Sequence, residues 1–526
     1  MRTRRCARTV NQAPIYLTED LLFMIVSLVC DARPATGATD ARLRCDVMMR
    51  GIGSVSRLWR RLAKRMVMGD ERAWLTVRTV EAVAECMACF PRALSLRIVG
   101  DARAGDIAVL GSRSVMRLAV AKNTLMRGCE GLGQLVGLRD LYIRECSELQ
   151  DAAALSSLVD LRTLHVTSCN KLDAASLASS LGMMGQLTSL DLEGIDVGAA
   201  GAESLARSLG MMTLLTSLDL SRVKSANQPL RELGWASLAP SLATMAQLTS
   251  LDLGVNYIDA AGAASLAPSL AEMTLLTSLH LQTNNLGAAG AESLAPSLKR
   301  LTLLTNLNLF GNTIGAAGAA SLASSLGMMG QLTSLVLSAN GIGDAGAASL
   351  APSLAEMTLL TSLHLQTNNL GAAGAASLAS SLGMMGQLTS LNLSANGIGD
   401  AGATSLAPSL AKMTELTELS LAHNTIGAAG AASLAPRLAE MTQLSLLQLG
   451  RNSLGDAGAA SLAPSLARMP RLIFLNLAFN AIGAAGAESL APSLARMGQL
   501  EVLHLSGKNQ RRANSRDSGG ARCQVE

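Results

Sequence analysis

The chain has 526 residues, of which 49% are hydrophobic, 16% are charged and 2% are aromatic, with a formal net charge of +4. So few charges and aromatic residues speak against a nucleic-acid surface, which needs clustered Lys and Arg with aromatic side chains for stacking. The nine scattered cysteines lack the spacing of a disulfide framework, and no apolar run approaches the roughly 18 residues of a membrane span, so we expect an intracellular protein, cytoplasmic or nuclear.

The N-terminal region differs in composition from the rest. Residues 1–13 are basic and are expected to form a disordered tail. Residues 14–70 carry apolar positions at helical spacing and are predicted to form a small helical domain, followed by a connecting helical segment over 71–92. The apolar positions are Leu21, Leu22 and Ile25 in a first helix and Val55, Trp59 and Leu62 in a second.

A weak repeat with the frame Leu-x-x-Leu-x-Leu runs through residues 93–186, in shorter and less constant steps than in the rest of the chain. Its frames start at Ala93, Val115, Leu138 and Leu161. Each frame predicts one short strand, because the apolar residues alternate. Cys146 and Cys169 follow two of these strands, at a position where a buried thiol acts as a small apolar group.

A regular 28-residue repeat fills residues 187–505. The frames start at Leu187, Leu215, Leu248, Leu276, Leu304, Leu332, Leu360, Leu388, Leu416, Leu444, Leu472 and Leu500. The step from Leu215 to Leu248 is longer than the others, and we expect the extra residues around 224–231 to loop out. Eight residues after nine of these starts stands an asparagine: Asn256, Asn284, Asn312, Asn340, Asn368, Asn396, Asn424, Asn452 and Asn480.

Each 28-residue unit is predicted to be a strand, a turn and a helix. In the segment 251–253 the alternation buries the two leucines and exposes the residue between them. The asparagine offers amide donors and an acceptor to backbone groups of the turn. Leu350, Leu354 and Met357 then share one face of a helix. Because helices are about 10 Å wide and strands pair about 4.8 Å apart, we expect an α/β solenoid with a parallel sheet on its concave face and helices on its convex face.

Eight prolines fall inside the predicted helical stretches. They are Pro240, Pro268, Pro296, Pro352, Pro408, Pro436, Pro464 and Pro492. Proline removes a backbone hydrogen bond from a helix interior. Either each proline is the first residue of a short helix, or the helices are kinked.

The 28-residue unit resembles the ribonuclease-inhibitor-like class of leucine-rich repeats, and the units with Cys146 and Cys169 resemble the cysteine-containing class found in many F-box proteins. The resemblance covers residues 93–505 and implies a leucine-rich-repeat solenoid. In these families the concave face and its rims bind protein partners. The resemblance therefore implies a binding module without naming its ligand.

Residues 14–70 resemble an F-box, which has an acidic, leucine-rich first helix and closes with Val-Ser-x-x-Trp-x-x-Leu. The family's opening proline is displaced here to Pro14, and 32–43 is an insertion. The resemblance implies docking on a ubiquitin-ligase adaptor through Leu17, Leu21, Leu22, Ile25, Val55, Trp59 and Leu62. The alternative is an amphipathic helical cap, which a solenoid needs at its first repeat.

No motif in the chain predicts a catalytic, cofactor or metal site. The segments 341–346 and 397–402 read Gly-x-Gly-x-x-Gly, but the first is followed by Gln366 where a dinucleotide site needs an acid, so turn and packing glycines explain them better. His280 and His364 lie three repeats apart, roughly 15 Å, which is too far for one zinc ion. The serines belong to the repeat and form no recognisable nucleophile motif with a histidine and an acid.

Outward-facing strand positions are the candidate partner-binding residues on the concave face: Asp191, Glu193, Asp219, Asp252, His280, Phe310 and His364. The acidic early end suits a basic segment of a protein partner. The alternative is a merely solvated face, because the aromatic and arginine anchors that carry interface energy are scarce.

The sequence thus predicts a protein-protein interaction scaffold and no enzyme. With an F-box, it would be the substrate-recognition subunit of a cullin-type ubiquitin ligase. Without one, it would be a regulator of an enzyme, of the GTPase-activating or inhibitor type. Residues 506–526 are expected to be a disordered basic tail.

Overall fold

The computed structural model describes residues 75–77, 95–101, 107, 110, 115–225, 228–229 and 232–505. They belong to two compact units, divided between Leu214 and Leu215. The F-box-like segment 14–70, with all seven predicted adaptor-docking residues, lies outside the described residues, as do both basic tails. Within the described ranges, no helix has both the length and the apolar character that a membrane span requires.

The first unit is built from short parallel strands joined by helical or irregular segments. Its strands are β1 (Leu75–Val77), β2 (Ser95–Val99), β3 (Arg117–Ala121), β4 (Asp140–Arg144), β5 (Thr163–Thr167) and β6 (Ser189–Asp191). Its helices are α1 (Glu130–Gly133), α2 (Ala174–Leu181) and α3 (Gly198–Leu209), with a 3-10 helix at Ala153–Ser157. The strands predicted from the weak repeat frames are confirmed as β2 to β5, and Cys146 and Cys169 are fully buried after β4 and β5.

Strand β1 lies in the stretch 71–92, which was expected to be helical. That expectation is wrong for these three residues. Leu75 pairs with Leu96 and Val77 with Ile98, in parallel register. Leu75 and Val77 alternate with Thr76, which suits a strand beside β2, because alternate residues of a strand lie on the same face of the sheet. A one-residue slip would turn them to the opposite face.

The second unit repeats one strand and one helix. Its strands are β7 (Ser217–Asp219), β8 (Lys224–Ser225), β9 (Gln228–Pro229), β10 (Ser250–Asp252), β11 (Ser278–His280), β12 (Asn306–Asn308), β13 (Ser334–Val336), β14 (Ser362–His364), β15 (Ser390–Asn392), β16 (Glu418–Ser420), β17 (Leu446–Gln448), β18 (Phe474–Asn476) and β19 (Val502–His504). Its helices are α4 (Glu232–Leu242), α5 (Ala260–Glu272), α6 (Gly287–Leu298), α7 (Gly315–Leu326), α8 (Gly343–Glu356), α9 (Gly371–Leu382), α10 (Gly399–Leu410), α11 (Ala428–Leu438), α12 (Gly455–Leu466) and α13 (Ala484–Leu494).

The strands of the second unit pair in strict register. β7 pairs with β10, and each later strand pairs in parallel with the next, up to β19. The central leucine of each strand, such as Leu279, is buried, while the residues on either side are partly exposed in all but β16. β8 and β9 form an antiparallel hairpin, which confirms that the extra residues of the long repeat loop out.

Three side-chain ladders tie neighbouring repeats together. The Asn340 amide donates to the carbonyl oxygens of Leu309 and Leu337, at 2.8 and 2.9 Å, and its oxygen accepts the N–H of Asn312 at 2.8 Å. Thr305 donates its hydroxyl to the Thr277 carbonyl of the preceding repeat at 3.0 Å. On the helices, the buried Ser325 hydroxyl reaches a carbonyl of the preceding helix at 2.6 Å. These hydrogen bonds satisfy polar groups that would otherwise be buried unpaired, and each unpaired group would cost about 1–3 kcal/mol of stability.

The prolines do not begin the helices. α5 runs without interruption from Ala260 to Glu272 with Pro268 in its interior, and the other seven prolines lie inside helices in the same way. Of the two alternatives, the one in which each proline begins a helix is therefore wrong. Both Pro268 and Ala264, whose carbonyl loses its N–H partner, are exposed, so water can bond to that carbonyl.

Candidate functional site

The candidate site is the open face of the sheet, defined here as the face that carries the first and third residues of the three-residue strands. These side chains point away from the buried central leucines and are mostly partly exposed. Each is one strand spacing, about 4.8 Å, from the equivalent side chain of the next repeat. The face of each unit therefore presents side chains in columns.

The acidic end of the second unit contains Asp219 and Asp252, which are directly paired on neighbouring strands. Both carboxylates accept a backbone N–H from two residues further along, Asp219 from Ser221 at 2.7 Å and Asp252 from Gly254 at 2.8 Å. These hydrogen bonds fix the carboxylates at the surface of the sheet. The structure thus brings together two of the predicted partner-binding residues.

His280 lies beside this acidic pair and is hydrogen-bonded to it. Its Nδ1 is 3.3 Å from Oδ2 of Asp252, and its Nε2 is 3.1 Å from Oγ of Ser278 on the same strand. The hydrogen bond to Asp252 raises the pKa of His280, and the charge of Asp219 adds to the rise, while partial burial opposes it. His280 therefore holds its proton more firmly than an ordinary histidine.

His364 occupies the same strand position three repeats later, in different surroundings. Its Nε2 is 3.0 Å from Oγ of Ser362, but the residue paired with it on the preceding strand is Val336 in place of an acid. Burial lowers the pKa of His364, and the charge of Glu418 offsets part of that effect. The two predicted histidines are therefore electrostatically different.

Phe310 is a predicted binding residue that lies just beyond the end of β12. Its side chain is 39% exposed, and its backbone N–H donates to Oδ1 of Asn308 at 3.1 Å. An exposed phenylalanine offers the kind of apolar anchor that interfaces use.

The first unit holds the other two predicted acids. Asp191 Oδ2 is 3.2 Å from Nδ1 of His165, and Asp191 Oδ1 accepts the N–H of Glu193 at 3.0 Å. The ring of His165 packs on Tyr142 with 4.8 Å between centroids. Tyr142 is an aromatic residue at an outward strand position that the sequence analysis missed, although the repeat frame gives its position.

A second missed feature is an apolar column at the C-terminal end of the open face. Leu446, Phe474 and Val502 are paired in register and partly exposed, where earlier repeats carry serine, asparagine or glutamate. Nearby, the guanidinium of Arg451 lies 4.7 Å from the ring centroid of the exposed Phe479. The signal was present in the sequence, as a change from polar to apolar residues at the first strand position.

The glycines of segment 341–346 have structural roles. Gly341 and Gly343 have φ values of +63° and +65°, which favour glycine. A Cβ on Gly346 would lie 2.6 Å from Cγ2 of Ile342. Across the described residues, no group of three or more His, Cys, Asp or Glu side chains is placed to hold a metal ion.

Comparison with known proteins gives one family match. The family described as Leucine Rich repeat matches residues 272–295, 300–323, 332–351, 356–379, 388–407, 412–435 and 472–491. No curated protein matches the sequence at a significant level.

Solved structures of similar fold include a leucine-rich-repeat protein of Leptospira interrogans, with 18% identity over 74% of this chain and 90% of that one, at a TM-score of 0.52. An internalin of Listeria monocytogenes is 20% identical over 78% of this chain and 89% of that one, at a TM-score of 0.46. The Arabidopsis receptor kinase HAESA, solved with the peptide hormone IDA and the co-receptor SERK1, is 20% identical over 80% of this chain and 67% of that one, at a TM-score of 0.47.

The seven matched segments each combine parts of a strand, a turn and a helix as the structure places them, and the Leptospira protein shares the fold. The chain is a leucine-rich-repeat protein with an α/β solenoid fold.

Proposed function

We propose that this protein is a scaffold that binds an extended segment of a protein partner along the open face of its second unit. The observation that carries the proposal is the in-register array of eleven parallel strands, from β7 to β19 without the hairpin β8–β9, with mostly partly exposed side chains along one face. Ten strand spacings of about 4.8 Å give a face roughly 48 Å long. That length suits a partner segment better than a small molecule.

The partner segment is proposed to be basic where it meets the acidic end of this face. Asp219 and Asp252 are held in place by backbone N–H groups, so little side-chain entropy is lost when a cation binds them. Arginine pairs with such carboxylates through two parallel hydrogen bonds. Asp191 and Glu193 offer the same chemistry on the first unit.

We further propose that the repeats are of the ribonuclease-inhibitor-like class and that residues 14–70 act as an F-box. The protein would then be the substrate-recognition subunit of a cullin-type ubiquitin ligase, working in the cytoplasm or nucleus. The support is the F-box-like sequence around Trp59, together with the cysteine-containing repeats that follow. The competing proposal is a regulator of an enzyme, which needs no F-box.

Affinity capture with mass spectrometry separates these proposals. The full-length chain is compared with a variant that lacks residues 1–70 and with the point variant Trp59→Ala. If the protein is a ligase subunit, an adaptor and a cullin are recovered with the full-length chain alone, while substrates are recovered with all three forms. Recovery of a GTPase or another enzyme by all forms, with no adaptor on any, overturns the F-box proposal and favours the regulator.

A further inference from the structure

Three residues of the open face, among them Asp252 of the proposed binding face, form a hydrogen-bonded chain whose connectivity partner binding does not require. Ser278 Oγ lies 3.1 Å from His280 Nε2, and His280 Nδ1 lies 3.3 Å from Asp252 Oδ2. Ser278 and His280 are two residues apart on β11, so they share a face, and Asp252 is directly paired with His280 on β10. The side chains of His280 and Asp252 are 32% and 24% exposed, so water and solutes reach them.

The three side chains are connected in the order serine, histidine and aspartate, which is the order that activates a nucleophilic serine. Asp252 faces Nδ1 of the imidazole, which leaves Nε2 as the nitrogen that can accept a proton from the serine hydroxyl. Asp252 is itself held by the N–H of Gly254 and lies 3.4 Å from the side-chain amide of Gln282. It therefore selects the tautomer of His280 and stabilises the imidazolium that forms when the serine loses its proton.

Two related sites in the same chain lack one part of this arrangement. Ser362 and His364 repeat the serine–histidine contact at 3.0 Å, but Val336 stands where the acid would be. In the first unit, Ser189 Oγ is 3.5 Å from Nε2 of His165, at the limit of a hydrogen bond. His165 Nδ1 is near Asp191 but is not aligned to hydrogen-bond with any residue the structure describes. The complete arrangement therefore belongs to Ser278.

We propose that Ser278 is an activated nucleophile that takes the acyl group of a carboxylic ester and passes it to water. Oγ attacks the carbonyl carbon as its proton moves to Nε2 of His280. The tetrahedral intermediate then breaks the bond between carbon and the leaving oxygen, which takes that proton and departs as an alcohol. Water, deprotonated by His280, attacks the acyl-serine, and its breakdown returns the hydroxyl of Ser278 and releases a carboxylic acid.

The developing negative charge on the carbonyl oxygen needs a hydrogen-bond donor. The backbone N–H groups of Ser278 and Asn306 are already used, since they donate to carbonyls of the preceding repeats, both at 3.0 Å. The side chain of Asn306 is directly paired with Ser278 on the next strand and on the same face. Its amide is the donor that this geometry offers to the oxyanion.

The test uses a fluorophosphonate probe on the full-length protein, with the labelled serine located by peptide mass spectrometry. Ser278 is expected to be labelled at least tenfold faster than Ser250 and Ser334, which occupy the same strand position without a histidine. In His280→Ala, Ser278 is expected to be labelled no faster than Ser250, and in Asp252→Asn the labelling rate of Ser278 is expected to fall at least tenfold. Each variant is checked for an unchanged circular dichroism spectrum. Labelling of Ser278 no faster than of Ser250, or unchanged in His280→Ala, overturns the proposal.

A gain of function provides a test that no loss of stability can imitate. Val336→Asp adds the missing acid beside His364, so Ser362 should become labelled in this variant while it stays unlabelled in the wild-type chain. Val336→Asn, of similar size and without charge, is the matched control. If Ser362 reacts equally in the two variants, the role assigned to the acid is wrong.

Hydrolysis of p-nitrophenyl acetate then separates chemistry from mere reactivity with the probe. The wild-type chain is expected to release nitrophenol at least tenfold faster than Ser278→Ala, and Asn306→Ala should lower the rate by at least about tenfold because an oxyanion donor is lost. Equal rates for the wild-type chain and Ser278→Ala would overturn the esterase step.

Discussion

The side-chain oxygen of Asn284 accepts the backbone N–H of Asn256, one repeat earlier, at 3.0 Å. The same oxygen accepts the N–H of Ile258 at 2.9 Å, and its amide donates to the carbonyls of Leu253 and Leu281. One asparagine side chain thus satisfies four buried backbone groups in two successive repeats. This contact explains why the repeat keeps asparagine at a position where its short side chain supplies two donors and an acceptor to the backbone.

Replacing Asn284 should therefore be costly. Asn284→Ala leaves buried N–H and C=O groups unpaired and is expected to lower the free energy of unfolding by about 2–4 kcal/mol. The neighbouring Asn285 is exposed, and Asn285→Ala should change it by less than about 0.5 kcal/mol. Urea denaturation followed by circular dichroism measures both. Equal effects of the two variants would show that the ladder does not hold the repeats together.

Removing a proline from a helix should stabilise the protein. Pro268→Ala restores the backbone N–H that can donate to the carbonyl of Ala264. We expect the free energy of unfolding to rise by about 1–2 kcal/mol after allowing for the more flexible unfolded chain. Ser269→Ala, one residue further along, removes the buried hydrogen bond to the Ala239 carbonyl and should cost about 1 kcal/mol. Opposite shifts of the thermal midpoint for these neighbours are the expected result. A loss of stability in Pro268→Ala would contradict the description of the helix as continuous through an exposed proline.

The two histidines at equivalent strand positions should titrate differently. His280 is expected to have a pKa above the usual histidine value because of its hydrogen bond to Asp252, and His364 a pKa below it because of burial. Titration of the imidazole Cε1–H signals by NMR measures both. Asp252→Asn should lower the pKa of His280 and leave that of His364 unchanged. The same pKa for both histidines in the wild-type chain would contradict the contact with Asp252.

The reactivity of Ser278 should depend on pH through His280. The groups that face His280 are Asp252 and Asp219 on the preceding strands, while the next strand presents the uncharged Asn306 and Asn308. Only the neutral imidazole accepts a proton, so labelling of Ser278 should rise as pH increases through the raised pKa of His280. Asp252→Asn should move the midpoint to lower pH. A flat profile would show that His280 does not act as the base.

Much of the fold follows from the sequence because every repeat obeys the same local rule. The alternation around Leu279 places one leucine inside and its neighbours outside, and the constant period of the repeat stacks these strands in register. The asparagine ladder was predictable for the same reason. The course of the helices through Pro268 was not, because proline is unfavourable in a helix interior and the spacing of the leucines does not show how the carbonyl of Ala264 is satisfied.

The candidate site was predicted only in part. Asp219, Asp252 and His280 were chosen correctly as outward-facing residues, because the frame gives their direction. Their association with Ser278 was missed, since Asp252 and His280 lie one full repeat apart in the chain and come together only when adjacent strands pair. A comparison of equal frame positions in successive repeats would have revealed it.

The measurement that tests the binding face most directly is the affinity of the captured partner for two charge-reversal variants. Asp219→Lys changes the open face, and Glu356→Lys changes an exposed acid at the end of helix α8, on the opposite side of the repeat. We expect Asp219→Lys to weaken partner binding at least tenfold and Glu356→Lys to leave it unchanged. Equal affinities for the two variants, or a loss confined to Glu356→Lys, would contradict binding on the open face.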